Sequence, residues 1–300
     1  MATAKAWIKA FRLRSLPLAI ACISMGSILA ATAGQMKWGV FILSLITTIC
    51  LQILSNLAND YGDAASGLDG DQRVGPKRSV QSGEITSKAM FNAVIVFSVL
   101  SLTSGITLIA VGVGFSVKFV VFLLVGLLAI AAAIKYTMGK NPYGYAGLGD
   151  LSVFIFFGIV GVMGTSFLHT KTIDWLSVLP AMSCSFFAVA VLNVNNIRDI
   201  ESDRLSGKIS LPVRIGRDRA VIYHYAILLA GVLCSSIYVV IHYEGLFQLL
   251  FLIILPFLYK NATAVRSFTD ADRLDPYLKQ MALTTLLFVV TFGVGQLIYL

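Results

Sequence analysis

Charge is scarce in this chain. Asp, Glu, Lys and Arg make up 13% of its 300 residues, against about 25% in ordinary soluble domains. The length would permit about two soluble domains, but with 57% hydrophobic residues the composition points to one membrane-embedded unit covering 1–300. Cysteine is sparse too. Cys22, Cys50, Cys184 and Cys234 lie in apolar runs at no metal-ligand spacing, so neither a disulfide framework nor a thiolate metal site is implied. His169, His224 and His242 are isolated and do not read as ligands. There is no basic stripe on a soluble module, which argues against a nucleic-acid partner. There are no ten-residue alternating segments, which excludes an outer-membrane barrel.

What is present is long apolar runs. A spanning helix needs roughly 20 such residues, and nine runs qualify: roughly 15–33, 38–58, 89–110, 117–136, 147–168, 175–196, 220–241, 245–262 and 279–299. Residues 5–33 also look like a signal peptide, with basic residues, an apolar run and Ala31-Thr32-Ala33. The eight runs that follow favour a first spanning helix. The chain carries 23 Lys and Arg and a net charge of +8. With the N-terminus inside, every basic residue except Lys37, Lys118 and Lys171 falls in five segments on one side. That bias places the N-terminus and the two long polar loops, about 59–88 and 197–219, in the cytoplasm.

Those loops follow spans two and six and resemble each other. One opens Asn59-Asp60-Tyr61-Gly62-Asp63, after Asn56-Leu57-Ala58; the other reads Asn195-Asn196-Ile197-Arg198-Asp199-Ile200-Glu201-Ser202-Asp203. Residues at i and i+4 share a helix face, so Asn195, Asp199 and Asp203 form one stripe, and Asn59 and Asp63 a matching one with Asp60 beside it. The third place of the first stripe is Gly67, and Asp69 and Asp71 follow in a loop marked by Gly62, Gly67 and Gly70. The repetition suggests two four-helix pseudo-repeats. Taken singly, each Asp or Asn serves equally well as a helix cap or a solvated loop residue; two matched stripes at corresponding helix ends do not.

Carboxylates at the hydrocarbon edge are costly, roughly 2.5–3.5 kcal/mol each at mid-membrane and less near the interface. Two facing sets would also repel, so a cation belongs between them. Clustered Asp and Asn oxygens suit Mg²⁺, which completes its shell with substrate phosphates. The metal set is then Asp60, Asp63, Asp69, Asn195, Asp199 and Asp203. Arg73, Lys77, Arg78, Lys140, Arg198 and Arg204, with the amides of Asn59 and Asn195, form the diphosphate set, and Lys208 ranks below Arg204. Tyr136 and Lys140 are i,i+4 at the end of span four. The chemistry this implies is ionisation of a diphosphate leaving group, carried by Asp63, Asp69, Asp199, Asp203, Tyr136 and Lys140. Asp270, Asp272 and Asp275 lack the spacing and read as a solvated loop. An anion or divalent-metal transporter is the rival from another class; charges near mid-span, which it would use, are lacking. A phosphotransferase acting on a nucleotide-linked alcohol is a third option, for which the chain has no Asp-Gly-x-x-Ala-Arg stretch.

At these residues the chain resembles the UbiA superfamily of intramembrane aromatic prenyltransferases. That family has nine transmembrane helices and two Asn-x-x-x-Asp-x-x-x-Asp motifs, after helices two and six. The second is intact as Asn195, Asp199 and Asp203; the first departs at Gly67. The departure resembles the menaquinone-pathway branch that prenylates 1,4-dihydroxy-2-naphthoate. Arg73-Val74-Gly75-Pro76-Lys77-Arg78, Pro142-Tyr143-Gly144-Tyr145 and Gly149-Asp150 agree with it. The resemblance implies an all-α membrane fold around a central chamber and a polyprenyl diphosphate head group on two Mg²⁺ ions held by the Asp motifs. It also implies a tail lying between helices open to membrane lipid, and attack by the aromatic ring on the allylic cation, with loss of CO₂. Arg14 is a candidate contact for the acceptor carboxylate, and Tyr61 and Tyr136 for the cation. Acceptors such as 4-hydroxybenzoate, homogentisate or haem stay open within the same superfamily.

Overall fold

The computed structural model describes residues 2–65 and 78–300. Among the described residues, nine helices are long and apolar enough to cross a membrane: α1 Ala4–Thr32, α2 Trp38–Ala65, α3 Ser87–Val113, α4 Val117–Lys135, α5 Gly149–Thr170, α6 Trp175–Arg198, α7 Arg217–Ile241, α8 Leu246–Ser267 and α9 Ala271–Leu297. No strand occurs among the described residues. A bilayer leaves no water to satisfy exposed backbone groups, and helices satisfy their own. All nine expected runs are present.

The ends differ from the expectation where it matters. α2 continues to Ala65 instead of stopping near 58, so Asn59, Asp60 and Asp63 are helical. α9 begins at Ala271 instead of near 279, which puts Asp275 on a helix and not in a loop. α6 stops at Arg198, and a short helix Ile200–Leu205 follows. The Asp199 N–H still donates to the Asn195 carbonyl at 3.0 Å, and the Asp203 N–H to the Asp199 carbonyl at 2.7 Å. The i,i+4 stripe therefore survives the break.

α1 is also interrupted. Thr3 caps its start, accepting from the Ala6 N–H at 3.2 Å. Arg12 then adopts a left-handed backbone with φ of 49°, a conformation costing a non-glycine residue about 1–2 kcal/mol. After a turn at Leu13–Ser15 the helix resumes at Leu16, with Pro17 in its first turn, where a missing N–H is harmless. The opening segment buries Ala6 and Ala10 against Leu54 and Leu57 of α2.

The main core lies among α1, α5, α6, α7, α8 and α9, centred on Met25, Phe187, Phe251, Phe288 and Phe292. α2 packs along α3, and α6 along α7 and α9. α4 is different. It has no fully buried residue, and Val121, Leu124 and Leu128 are exposed. A helix apolar on its outer face suits lipid rather than water.

Candidate active site

The end of α2 meets the end of α4. Gly62 permits this: a Cβ there would lie 2.5 Å from the Thr137 carbonyl oxygen. At this distance the Thr137 hydroxyl, 3.0 Å from both acceptors, donates to the Ala58 carbonyl and to Asn59 Oδ1, which fixes the Asn59 amide. Asp63 pairs with Arg78 and accepts from the Tyr145 hydroxyl. Arg78 also donates to the Asn59 carbonyl at 2.5 Å. Asp60 is 1% exposed. Its Oδ2 accepts from the Ser79 N–H at 3.3 Å, and its Oδ1 has no hydrogen-bond partner among the described residues.

At the end of α6, the Arg198 guanidinium is held on three sides. Its Nε and Nη2 each lie 2.7 Å from one oxygen of Asp199. Nη2 also donates to Asn195 Oδ1 at 3.0 Å. Nη1 donates to Asp275 Oδ1 at 2.5 Å. Arg14 of α1 reaches the same Asp275 at 3.1 Å. Lys208 Nζ lies 3.1 and 3.0 Å from the two Asp203 oxygens, with hydrogen-bond geometry to Oδ1 only. Burial pushes the Asp203 carboxyl above the usual carboxylate range, and Lys208 opposes that shift.

The turn Tyr143–Ala146 joins the two ends. The Tyr145 hydroxyl reaches Asp63, while the Tyr145 carbonyl accepts from the Ile209 N–H at 2.9 Å, just after Lys208. Both stripes face one cavity of about 750 Å³. Asn59, Asp60, Asp63, Asn195, Asp199 and Asp203 all line it. Along α2 its wall runs from Ser44 to Asp63, roughly 28 Å at 1.5 Å per residue, close to the hydrocarbon thickness of about 30 Å. Away from the acids the lining is apolar, with Leu108, Ile109, Phe122, Val125, Phe157 and Leu168. Tyr136 stands at the transition, its ring 5.4 Å from that of Tyr143. Burial first, and then the Asp150 carboxylate, push its phenol far up. At neutral pH it is a proton-bearing hydrogen-bond donor.

The structure brings most of the expected residues together. Besides the six motif residues, Arg14, Arg78, Tyr136, Arg198 and Lys208 line the cavity. Lys140 and Arg204 do not. Lys140 is exposed, and Arg204 is exposed and pairs with Glu201 at 3.2 Å. The ranking of Arg204 above Lys208 is thus reversed: Arg204 sits off the stripe on the short helix, and the turn through Gly207 brings Lys208 back onto Asp203. Tyr61 packs on Phe91 of α3 and is not among the cavity residues. Asp69, Arg73 and Lys77 lie outside the described residues. His169 and His224 are buried on polar partners, His169 on Ser27 and the Lys37 N–H, His224 on Asn193 and Asn261. Sequence reasoning missed Thr137, Tyr145 and Asp275. The first two stand beside flagged residues and carried no spacing of their own. Asp275 is paired with two arginines, which corrects its reading as solvated loop.

The donor set suits a hard divalent cation. It offers carboxylate and amide oxygens, with a buried Asp60 oxygen unmatched by any described donor. No group of three or more His, Cys, Asp or Glu among the described residues would enclose an ion by itself. A Mg²⁺ ion typically takes one or two carboxylates and completes its shell with phosphate and water.

A family model described as the UbiA prenyltransferase family matches residues 19–294. The chain is 44% identical over 296 residues to the 1,4-dihydroxy-2-naphthoate octaprenyltransferase of Escherichia coli (strain K12), covering 97% of this chain and 96% of that one. It is 42% identical to the enzyme of the same name from Haemophilus influenzae, covering 98% and 96%. Among solved structures, a UbiA homolog from Archaeoglobus fulgidus bound to GPP and Mg²⁺ aligns with a TM-score of 0.66 at 16% identity, covering 97% of this chain and 99% of that one.

Proposed function

Because this chain belongs to the UbiA prenyltransferase family, we propose that its two acid-bearing helix ends form the diphosphate site of a polyprenyltransferase acting on 1,4-dihydroxy-2-naphthoate. The enzyme transfers a polyprenyl group from polyprenyl diphosphate to that acceptor with loss of CO₂, giving demethylmenaquinone. One observation carries the site assignment: both stripes open into a single cavity whose far end is apolar. A polar, charged head group and a hydrocarbon tail are then accommodated along one axis. Keeping a prenyl tail out of water is worth about 0.8 kcal/mol per CH₂-sized group, so a membrane-deep trough suits this donor.

Asp60, Asp63, Asp199, Asp203 and Asn195, with Asp69 as a further ligand, are the residues that would hold the metal, as two Mg²⁺ ions, together with the diphosphate. Mg²⁺ supplies charge stabilisation to the departing diphosphate. The chain's own cations act beside it. Arg78, Arg198 and Lys208 already sit on Asp63, Asp199 and Asp203, so each is positioned to offer its N–H groups to phosphate oxygens when its carboxylate is engaged elsewhere. The Asn59 amide, fixed by Thr137, provides a neutral donor. Tyr136, proton-bearing and at the junction of polar and apolar walls, presents its ring to the allylic carbon and its hydroxyl to the leaving group. The apolar walls exclude water that would quench the cation. Arg14, lining the same cavity, is placed to meet the acceptor carboxylate. The clustering of basic residues supports a cytoplasmic mouth, and the bacterial relatives support a bacterial plasma membrane.

The test is a prenyl-transfer assay with the purified protein, polyprenyl diphosphate and dihydroxynaphthoate, with and without EDTA. Product should form only with the divalent ion. Asp63→Ala and Asp199→Ala should abolish transfer while the protein still inserts, and near-normal turnover in either would remove the site assignment. Prenylation of 4-hydroxybenzoate but not of dihydroxynaphthoate would move the chain to another branch of the family.

A further inference from the structure

Asp275 belongs to neither motif and stands far from both in sequence, at the start of α9. Its carboxylate is nevertheless shared by two arginines from two other helices: Arg198 at 2.5 Å and Arg14 at 3.1 Å. Arg198 is the more telling partner. Its side chain is 3% exposed, and it holds both oxygens of Asp199 and the amide oxygen of Asn195. A buried guanidinium with a single carboxylate partner would collapse onto it and neutralise it. Here a second carboxylate pulls from the opposite edge of the fork. The planar guanidinium cannot rotate away from Asp275 without breaking that bond, so its remaining N–H groups stay in one plane beside Asp199.

We propose that Asp275 is a positioning residue of the diphosphate site: it anchors Arg198 from behind, so that a divalent ion can take Asp199 from the arginine and leave the freed N–H groups facing phosphate. This rests on the assignment of the cavity as the diphosphate site. Charge points the same way. With Arg14, the groups Arg198, Asp199 and Asp275 form a neutral cluster. Without Asp275 the same groups carry one net positive charge, which repels a divalent ion, and Arg198 is left to compete with the metal for Asp199. Asp275 also sits one helical turn from Lys279, on the face of α9 whose Leu278, Lys279 and Ala282 line the cavity, so an adjustment at this position is felt at the site.

The experiment uses the full chain in detergent, with Mn²⁺ alone and then Mn²⁺ with inorganic pyrophosphate as probes, followed by titration calorimetry and steady-state kinetics. Asp275→Asn keeps the shape and removes the charge. It should weaken Mn²⁺-supported pyrophosphate binding at least tenfold and raise the KM for polyprenyl diphosphate more than it lowers kcat. Asp275→Glu should recover binding to within about threefold of the unaltered protein. Asp272→Asn makes the same charge change at an exposed position on the same helix and should change nothing. If Asp275→Asn does not fold, Asp275→Ser, which leaves room for water beside Arg198, is measured in its place. Unaltered binding in the Asn or Ser variant, or an equal loss in Asp272→Asn, overturns the positioning role alone. Failure of the unaltered protein to bind either probe overturns the site assignment together with it.

Discussion

Replacing Gly62 by alanine tests how closely α2 must approach α4. A Cβ at 62 would stand 2.5 Å from the Thr137 carbonyl oxygen, 2.7 Å from its carbon and 2.9 Å from its Oγ1. Two of these atoms are backbone and cannot swing aside. To restore an ordinary contact of about 3.5 Å the end of α2 must retreat by about 1 Å. Alanine is the better helix former by about 1 kcal/mol, so local propensity alone would make the variant more stable. Overpacking typically costs about 1–3 kcal/mol. The Thr137 hydroxyl, drawn out of reach of Ala58 and Asn59, adds about 0.5–1.5 kcal/mol for a lost hydrogen bond. The contact terms win, by about 0.5–3.5 kcal/mol in total. The larger effect falls on turnover, because Asn59, Asp60 and Asp63 move with the helix, and a 1 Å misplacement can cost about 10²-fold. Gly126 of α4 is the contrast: a Cβ there meets nothing within 4 Å. Gly126→Ala should keep or raise the thermal midpoint. Midpoints in detergent and kcat/KM for prenyl transfer would be compared for both variants. If Gly62→Ala kept its midpoint and kept kcat/KM within twofold, the close approach of α2 and α4 would not be what positions the acids.

Lys208→Ala should lower kcat/KM by about tenfold or more, as loss of a charge-assisted contact, whereas Arg204→Ala, exposed and paired only with Glu201, should stay within about twofold; steady-state rates decide. Tyr145→Phe deletes the hydroxyl on Asp63 and should reduce turnover by about tenfold with the thermal midpoint nearly unchanged, since one net hydrogen bond is worth about 1 kcal/mol. The raised Asp203 carboxyl sets a pH dependence. Above its pKa the group is charged and holds a cation; below it, the proton competes. The half-saturating Mg²⁺ concentration should therefore rise as pH falls, starting above the usual carboxylate range. Lys208→Ala, which removes an opposing positive charge, should move that rise to still higher pH.

The architecture was legible because a bilayer imposes a coarse rule, about twenty apolar residues per crossing, and α3, α4 and α7 obey it. The helix ends were not. α2 and α9 extend past their apolar stretches because Asp60, Asp63 and Asp275 find partners inside the bundle, in Ser79, Arg78, Arg198 and Arg14. A hydropathy reading counts such groups as solvent-seeking and stops the helix before them. The stripes at Asn59 and Asn195 could be read because four-residue spacing maps directly onto a helix face. Tyr145 and Asp275 could not, since what makes them important is a partner 82 or 77 residues away. Lys208 and Arg204 exchanged rank for a local reason: Arg204 lies one residue past Asp203 and so off the stripe, whereas the helix ends at Leu205 and the turn through Gly207 brings Lys208 back to Asp203.

The position of α4 bears on how such a protein can change. Val125, Gly126 and Ala129 face the trough while Val121, Leu124 and Leu128 lie outward, and no residue of this helix is fully enclosed. The wall of the trough on this side is thus one helix thick and carries no acid or base between Phe119 and Ile134. Its inner bulk can grow or shrink by single side chains, through Gly126 for instance, without disturbing the charged end. On the proposed placement of the donor's tail in this trough, the length of isoprenoid accepted and the chemistry performed on it are separable traits, free to diverge independently among descendants of the same scaffold.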